Sequence, residues 1–137
     1  QSNTTSLCIS AKVEAEVALI EEPEERHELL KMMGVERSGL ERMIKQSYDM
    51  LNMITFFTVG PKEARAWTIK CGTPAPQAAG VIQSDFENGF IRAEVISYED
   101  FVEYKNEARA KEAGKMRLEG RNYNVQDGDV ILFRFNV

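Results

Sequence analysis

The cations of residues 105–121 are the densest chemistry in this sequence. Lys105, Arg109, Lys111, Lys115, Arg117 and Arg121 stand against Glu107, Glu112 and Glu119, a local net charge of +3, and Tyr104 and Tyr123 bracket the run. Basic side chains flanked by aromatic rings suit contact with the phosphate backbone of RNA. Interleaved charges also have a plainer reading as a solvated helix face, with Glu107 and Lys111 one turn apart, and the residues alone favour that reading. Lys62, Arg65 and Arg92 lie in or beside expected strands. They join the basic set if folding gathers them on one face, because a local potential can oppose the net charge of the whole chain.

Catalytic patterns are missing or broken. A P-loop reads G-x-x-x-x-G-K-[ST], its glycines letting backbone N–H groups close around phosphate. Here Gly114-Lys115 is followed by Met116, and Arg109 occupies the place of the first glycine. Neither G-x-G-x-x-G nor H-E-x-x-H occurs. His27 is the single histidine and sits among Glu24, Glu25, Arg26 and Glu28, a pattern of a solvated helix face. Cys8 and Cys71 show no metal or redox spacing and read as reduced thiols of a cytosolic protein. Asp127-Gly128-Asp129 reads as a hairpin turn rather than an acid/base pair. The expectation is a chain with no active site of its own, no cofactor and no metal.

The elements that would position these side chains can be read from spacing. Leu7-Cys8-Ile9 is a short apolar run with the look of a buried strand. Val13, Val17 and Ile20 then recur at helical spacing. Pro23 suits the first position of a second helix, whose missing N–H costs nothing there, and Gly34 suits its C-terminal cap. Ser38 and Glu41 form a capping box ahead of Leu40, Met43, Ile44, Tyr48 and Leu51, an apolar stripe expected to face a core. From Ile54 the pattern changes. Ile54–Thr58 and Ala64–Ile69 read as strands of a hairpin punctuated by Gly60-Pro61, followed by a short helix over Gln77–Ile82 and a strand over Phe90–Ser97. Ser97 and Asp100 would cap a charged helix running to Ala113 and stopped by Gly114. Arg117–Tyr123 turns at Gly120, and Val130–Phe135 closes the chain as an apolar strand. A hairpin, a crossing helix and returning strands suggest a helix packed on one face of a mixed sheet, an α+β fold.

The chain has 137 residues, 43% hydrophobic and 28% charged, with a net charge of −5. That suits a folded domain with a core and excludes a binder working by bulk charge alone. Residues 1–52 carry a net −4 and residues 53–137 a net −1. No run of about 18 apolar residues is present, so no membrane-spanning helix or membrane partner is expected. The opening Gln1-Ser2-Asn3 shows neither an initiator Met nor a signal-peptide pattern and reads as part of a longer protein.

Several runs resemble one family closely. Met50-Leu51-Asn52-Met53-Ile54-Thr55-Phe56-Phe57-Thr58, Glu63-Ala64-Arg65-Ala66-Trp67-Thr68-Ile69, Ala75-Pro76-Gln77-Ala78-Ala79-Gly80, Ser84-Asp85-Phe86-Glu87, Gly89-Phe90-Ile91-Arg92-Ala93, Ala113-Gly114-Lys115-Met116-Arg117, Asp127-Gly128-Asp129-Val130 and Phe135-Asn136-Val137 are similar to the C-terminal part of the YchF, or Obg-like, ATPases. The resemblance implies that residues 53–137 are a TGS domain of the β-grasp (ubiquitin-like) fold. Residues 1–52 resemble the end of the family's α/β G domain, here a helical remnant that exposes apolar Leu7, Ile9, Leu29 and Met33 and so favours dimerisation. Leu7–Glu14 looks like the last G-domain strand and its G5-like loop, which carries Ser10, Ala11 and Lys12 over as nucleotide base-side residues. Read by itself, Ser10 is a helix N-cap. The resemblance further implies a cytoplasmic parent that hydrolyses ATP or GTP with Mg²⁺, and a module that engages ribosome or RNA or docks on the G domain. Lys62, Arg65, Arg92, Lys105, Lys111, Lys115, Arg117 and Arg121 are the candidate contacts. The alternative is a protein-interaction or ligand-sensing regulatory β-grasp module.

Overall fold

The computed structural model describes residues 6–60 and 62–136. The Gln1-Ser2-Asn3 opening, Pro61 of the expected turn and the final Val137 of the family-like ending lie outside the described residues. The chain divides into two compact units, residues 1–50 and 51–137.

The first unit is helical: α1 (Ala11–Ala18), α2 (Pro23–Met32) and α3 (Gly39–Met50). Local sequence explains each end. Ser10 Oγ accepts the Val13 N–H at 3.4 Å, which fits its reading as an N-cap. Pro23 opens α2, and Gly34, at φ +72°, closes it. The Gly34 N–H donates to Lys31 O at 3.0 Å and the Val35 N–H to Leu30 O at 2.9 Å, the paired bonds of a Schellman cap. The Ser38–Glu41 capping box forms in both directions, at 3.2 and 3.3 Å. Glu14 adds a carboxylate at the start of α3, where it accepts the Gly39 N–H at 2.6 Å.

Two expectations fail in this unit. Leu7-Cys8-Ile9 is not a strand, and Ile9 is 42% exposed. A strand needs a ladder partner for its backbone groups, and the described residues of this unit form only helices. The stripe on α3 is not core either: Leu40, Met43 and Ile44 are 57, 47 and 50% exposed. Its periodicity marks an amphipathic helix, but burial requires a covering surface as well.

The second unit holds β1 (Met53–Val59), β2 (Ala64–Lys70), α4 (Ala75–Ile82), α5 (Ser84–Asn88), β3 (Phe90–Ile96), α6 (Tyr98–Tyr104), α7 (Glu107–Glu112), β4 (Arg117–Glu119) and β5 (Val130–Phe135). The five strands form one mixed sheet in the order β2-β1-β5-β3-β4. β1 and β2 make the expected hairpin, β5 lies parallel to β1, and β3 is antiparallel to both β5 and β4. The core gathers Phe56, Ile69, Phe90, Ala93, Val95, Ile131 and Phe133 with Ala75, Ala78 and Ala79 of α4. The three alanines are fully buried, so small side chains let the helix backbone approach the sheet. No helix among the described residues is long and apolar enough to cross a membrane.

Two further expectations change here. The charged helix to Ala113 is broken: Lys105 adopts φ +60° and Asn106 starts α7 by accepting the Arg109 N–H at 2.9 Å. Asn106 offers the backbone an N-cap in mid-run, and the cap wins over continuation. Asp127-Gly128-Asp129 is a turn, with Gly128 at φ +82°, but not a hairpin, because β3 lies between β4 and β5. Asp127 Oδ1 instead accepts the Thr55 N–H at 2.8 Å and ties the turn to β1.

Candidate nucleic-acid interface

Alternation along the strands sorts the basic side chains onto two faces. Arg65 shares the α4 face with Trp67 and lies across from Thr58, whereas Arg92 shares the opposite face with Glu94 and Ile96. Arg65 and Arg92 therefore do not share one patch on the sheet.

Most of them already have partners. Arg65 pairs with Glu63 at 3.7 Å and lies 5.2 Å from the Trp67 ring centre. Arg92 Nη2 reaches Glu94 at 3.3 Å. Lys115 Nζ is 3.1 Å from Asp100, and that hydrogen bond raises its pKa. Arg121 donates to the Phe90 carbonyl at 3.0 Å. Arg117 reaches Tyr123 Oη at 3.2 Å, Asp129 at 3.5 Å and Glu119 at 3.7 Å. Lys62, Lys105 and Lys111 are exposed and have no ion pair among the described residues. In the first unit Ser10, Ala11 and Lys12 lie exposed at the start of α1, with Lys12 4.0 Å from Glu16.

Two clusters escaped the sequence reading. In the first, buried Asp129 accepts the Tyr123 hydroxyl at 2.6 Å and the Gln126 N–H at 2.9 Å. Burial first, and then the bond to Asp129, push the Tyr123 pKa up to about 12. In the second, buried Glu94 binds Arg134 with both oxygens, at 3.2 and 3.0 Å. The Arg134 hydrogen bond, followed by its charge and that of Arg92, holds the Glu94 carboxyl below its ordinary value against the opposing effect of burial. Arg134 stands in a run otherwise apolar from Val130 to Phe135, and that isolated charge in an alternating strand was the available signal.

The described residues offer no cluster of three His, Cys, Asp or Glu side chains arranged for a metal ion. Ser10 Oγ caps α1, and Lys12 lies 4.0 Å from Glu16 one turn along the same helix.

Comparison with known proteins agrees with the sequence resemblance. The family model YchF-GTPase_C, described as a protein of unknown function (DUF933), matches residues 53–136. The ribosome-binding ATPase YchF of Pasteurella multocida is 57% identical over 129 residues, covering 94% of this chain and 35% of the relative. The Bacillus subtilis ribosome-binding ATPase YchF is 53% identical over 135 residues, 98% of this chain and 37% of the relative. The structure of the Schizosaccharomyces pombe YchF GTPase superposes with a TM-score of 0.74 at 38% identity, covering 92% of this chain and 33% of that one. The chain thus spans about a third of the length of the relatives it matches.

Proposed function

This chain belongs to the YchF family, and from that premise we propose that it is the C-terminal part of a cytoplasmic, ribosome-associated ATPase, serving as its RNA- or ribosome-contacting module. The carrying observation is 57% identity to a ribosome-binding ATPase across nearly the whole chain. Residues 53–137 are read as the TGS domain. The strand order β2-β1-β5-β3-β4, with α4 on one face, supports a β-grasp assignment. Residues 1–52 are read as the end of the G domain, with Ser10, Ala11 and Lys12 near the base of an ATP or GTP held mainly by residues elsewhere in the parent. Catalysis is assigned to the parent, because a P-loop ATPase cradles the β- and γ-phosphates with a Walker-A loop and its Lys, and the pattern at Gly114-Lys115-Met116 is broken.

Three of the candidate contacts are favoured by their free charge. Lys62, Lys105 and Lys111 can meet phosphate without breaking an ion pair of their own. A Lys105→Glu/Lys111→Glu double variant of the parent should lose ribosome co-sedimentation at low salt and keep its melting temperature, since exposed charge changes usually cost under roughly half a kcal/mol. Undiminished co-sedimentation would overturn this assignment. A second reading has its own observation: the open apolar stripe of α3 suits docking on the rest of the parent.

A further inference from the structure

We propose that Arg92 and Arg134, oriented by Glu94, form a clamp for a phosphodiester of the RNA backbone on the sheet face opposite α4. The inference rests on the RNA-contacting reading above. It adds a site that uses none of the three unpaired lysines.

The two arginines are cross-strand neighbours on β3 and β5. Glu94 Oε1 accepts from Arg92 Nη2 at 3.3 Å and from Arg134 Nε at 3.2 Å, and Oε2 accepts from Arg134 Nη2 at 3.0 Å. One carboxylate therefore holds two guanidinium groups against their mutual repulsion. The carboxylate is 5% exposed, but the arginine side chains remain 52 and 49% open. Arg134 keeps three of its five N–H donors and Arg92 four, and both present them in fixed planes. A buried ion pair often gives no more stability than an apolar residue of the same size, so an orienting role is a further return that Glu94 brings. Orienting two arginine forks for a bidentate acceptor is such a return; carboxylate and phosphate both match that geometry, and the RNA-contacting reading selects phosphate.

One acidic group opposes the site. Glu107 of α7 is the other carboxylate whose charge Arg134 feels, and it lines the same small recess as Glu94, beside Ile96, Phe101 and Leu132. It competes with an incoming phosphate, which gives the proposal a prediction of opposite sign.

The test is fluorescence anisotropy of the whole chain with a labelled 20-nucleotide uridine RNA across a salt series. Arg92→Gln leaves the two-bond Arg134–Glu94 pair in place. It should weaken binding about tenfold at low salt and flatten the salt dependence by about 0.7, the slope of one phosphate contact on a single strand. Arg134→Lys should weaken binding similarly with only a small fall in melting temperature, because an ammonium still pairs with Glu94, with one hydrogen bond fewer, but offers no fork. Glu107→Gln should tighten binding. Pyrophosphate offers the same forks a phosphate and should displace the RNA only at concentrations well above that of the RNA. Unchanged affinity in the Arg92 and Glu107 variants would overturn the clamp. If Lys105→Glu/Lys111→Glu weakened binding in that same assay, the RNA-contacting reading would survive without it. Absence of salt-dependent RNA binding would overturn both, and preferential capture of pyrophosphate would replace the clamp with a small-phosphate site.

Discussion

Asp129 shows how a single side chain can organise a loop. Its carboxylate is buried and receives Tyr123 Oη, Gln126 N–H and Arg117, so each donor answers part of the cost of taking a charge out of water. Tyr123→Phe removes the shortest of these bonds and leaves a buried acceptor short of a donor. A loss of about 1–3 kcal/mol in urea unfolding is expected. The same network has an alkaline signature. The Tyr123 pKa rises from 10 to about 12 on folding, so its contribution is complete below pH 10 and is lost as pH climbs through 12. The stability difference between the wild type and Tyr123→Phe should therefore shrink across that interval. Glu94 works in the opposite direction. Its folded pKa lies below the ordinary 4.5, so its contribution is present above pH 4.5 and fades as the pH falls through the folded value. Glu94→Gln should lose less stability than the wild type between pH 5 and pH 3, measured by urea midpoints.

Among the elements, the join between α6 and α7 is the most informative. Lys105 ends α6 in the left-handed region, and its N–H donates to Phe101 O at 2.8 Å. A side chain at that φ is strained, and glycine relieves the strain. Lys105→Gly should stabilise the chain by about 0.5–1 kcal/mol while weakening RNA or ribosome association. Binding and stability would then move in opposite directions, a combination that a general folding defect cannot produce. The entry to β3 makes the converse case. Gly89 has an ordinary φ of −82°, but an added Cβ would collide with the Asn136 carbonyl, and Asn136 N–H donates to Gly89 O at 2.8 Å. Gly89→Ala should cost about 1–3 kcal/mol in thermal unfolding, because the added Cβ meets the Asn136 backbone, which cannot swing aside as a flexible side chain can.

At the scale of the whole molecule the two units differ in what they bury. The contiguous core cluster lies entirely in residues 51–137, whereas the first unit buries only Val17 and Leu30 among its described apolar residues. Hydrogen exchange should protect β1, β3 and β5 well above α1–α3, since local opening follows the apolar contacts that oppose it. Equal protection in both units would contradict this. The open stripe on α3 should make the chain self-associate at high concentration in sedimentation velocity, and Met43→Glu with Ile44→Glu should abolish that. The purified chain should hydrolyse neither ATP nor GTP above a mock preparation.

Most elements of this fold were legible from local physics. Ser10, Pro23, Gly34, the Ser38–Glu41 box, Ser97 and Gly114 announce helix ends because caps are satisfied within a few residues of chain. The β1–β2 hairpin is legible for the same reason. Neighbours distant in sequence were not. Nothing within Asp127-Gly128-Asp129 says that β5 will lie between β1 and β3, since that depends on which edge closes the sheet over α4. Likewise, the basic residues could be named one by one, but not their partners. Asp100, Asp129 and the Phe90 carbonyl reach Lys115, Arg117 and Arg121 only after folding. The sequence alone determined residue chemistry, helix ends and family, all properties of short segments. The tertiary structure decided which charges were neutralised, which stripe stayed open, and that Arg92 and Arg134 share one carboxylate, because each of these depends on distances between parts of the chain far apart in sequence.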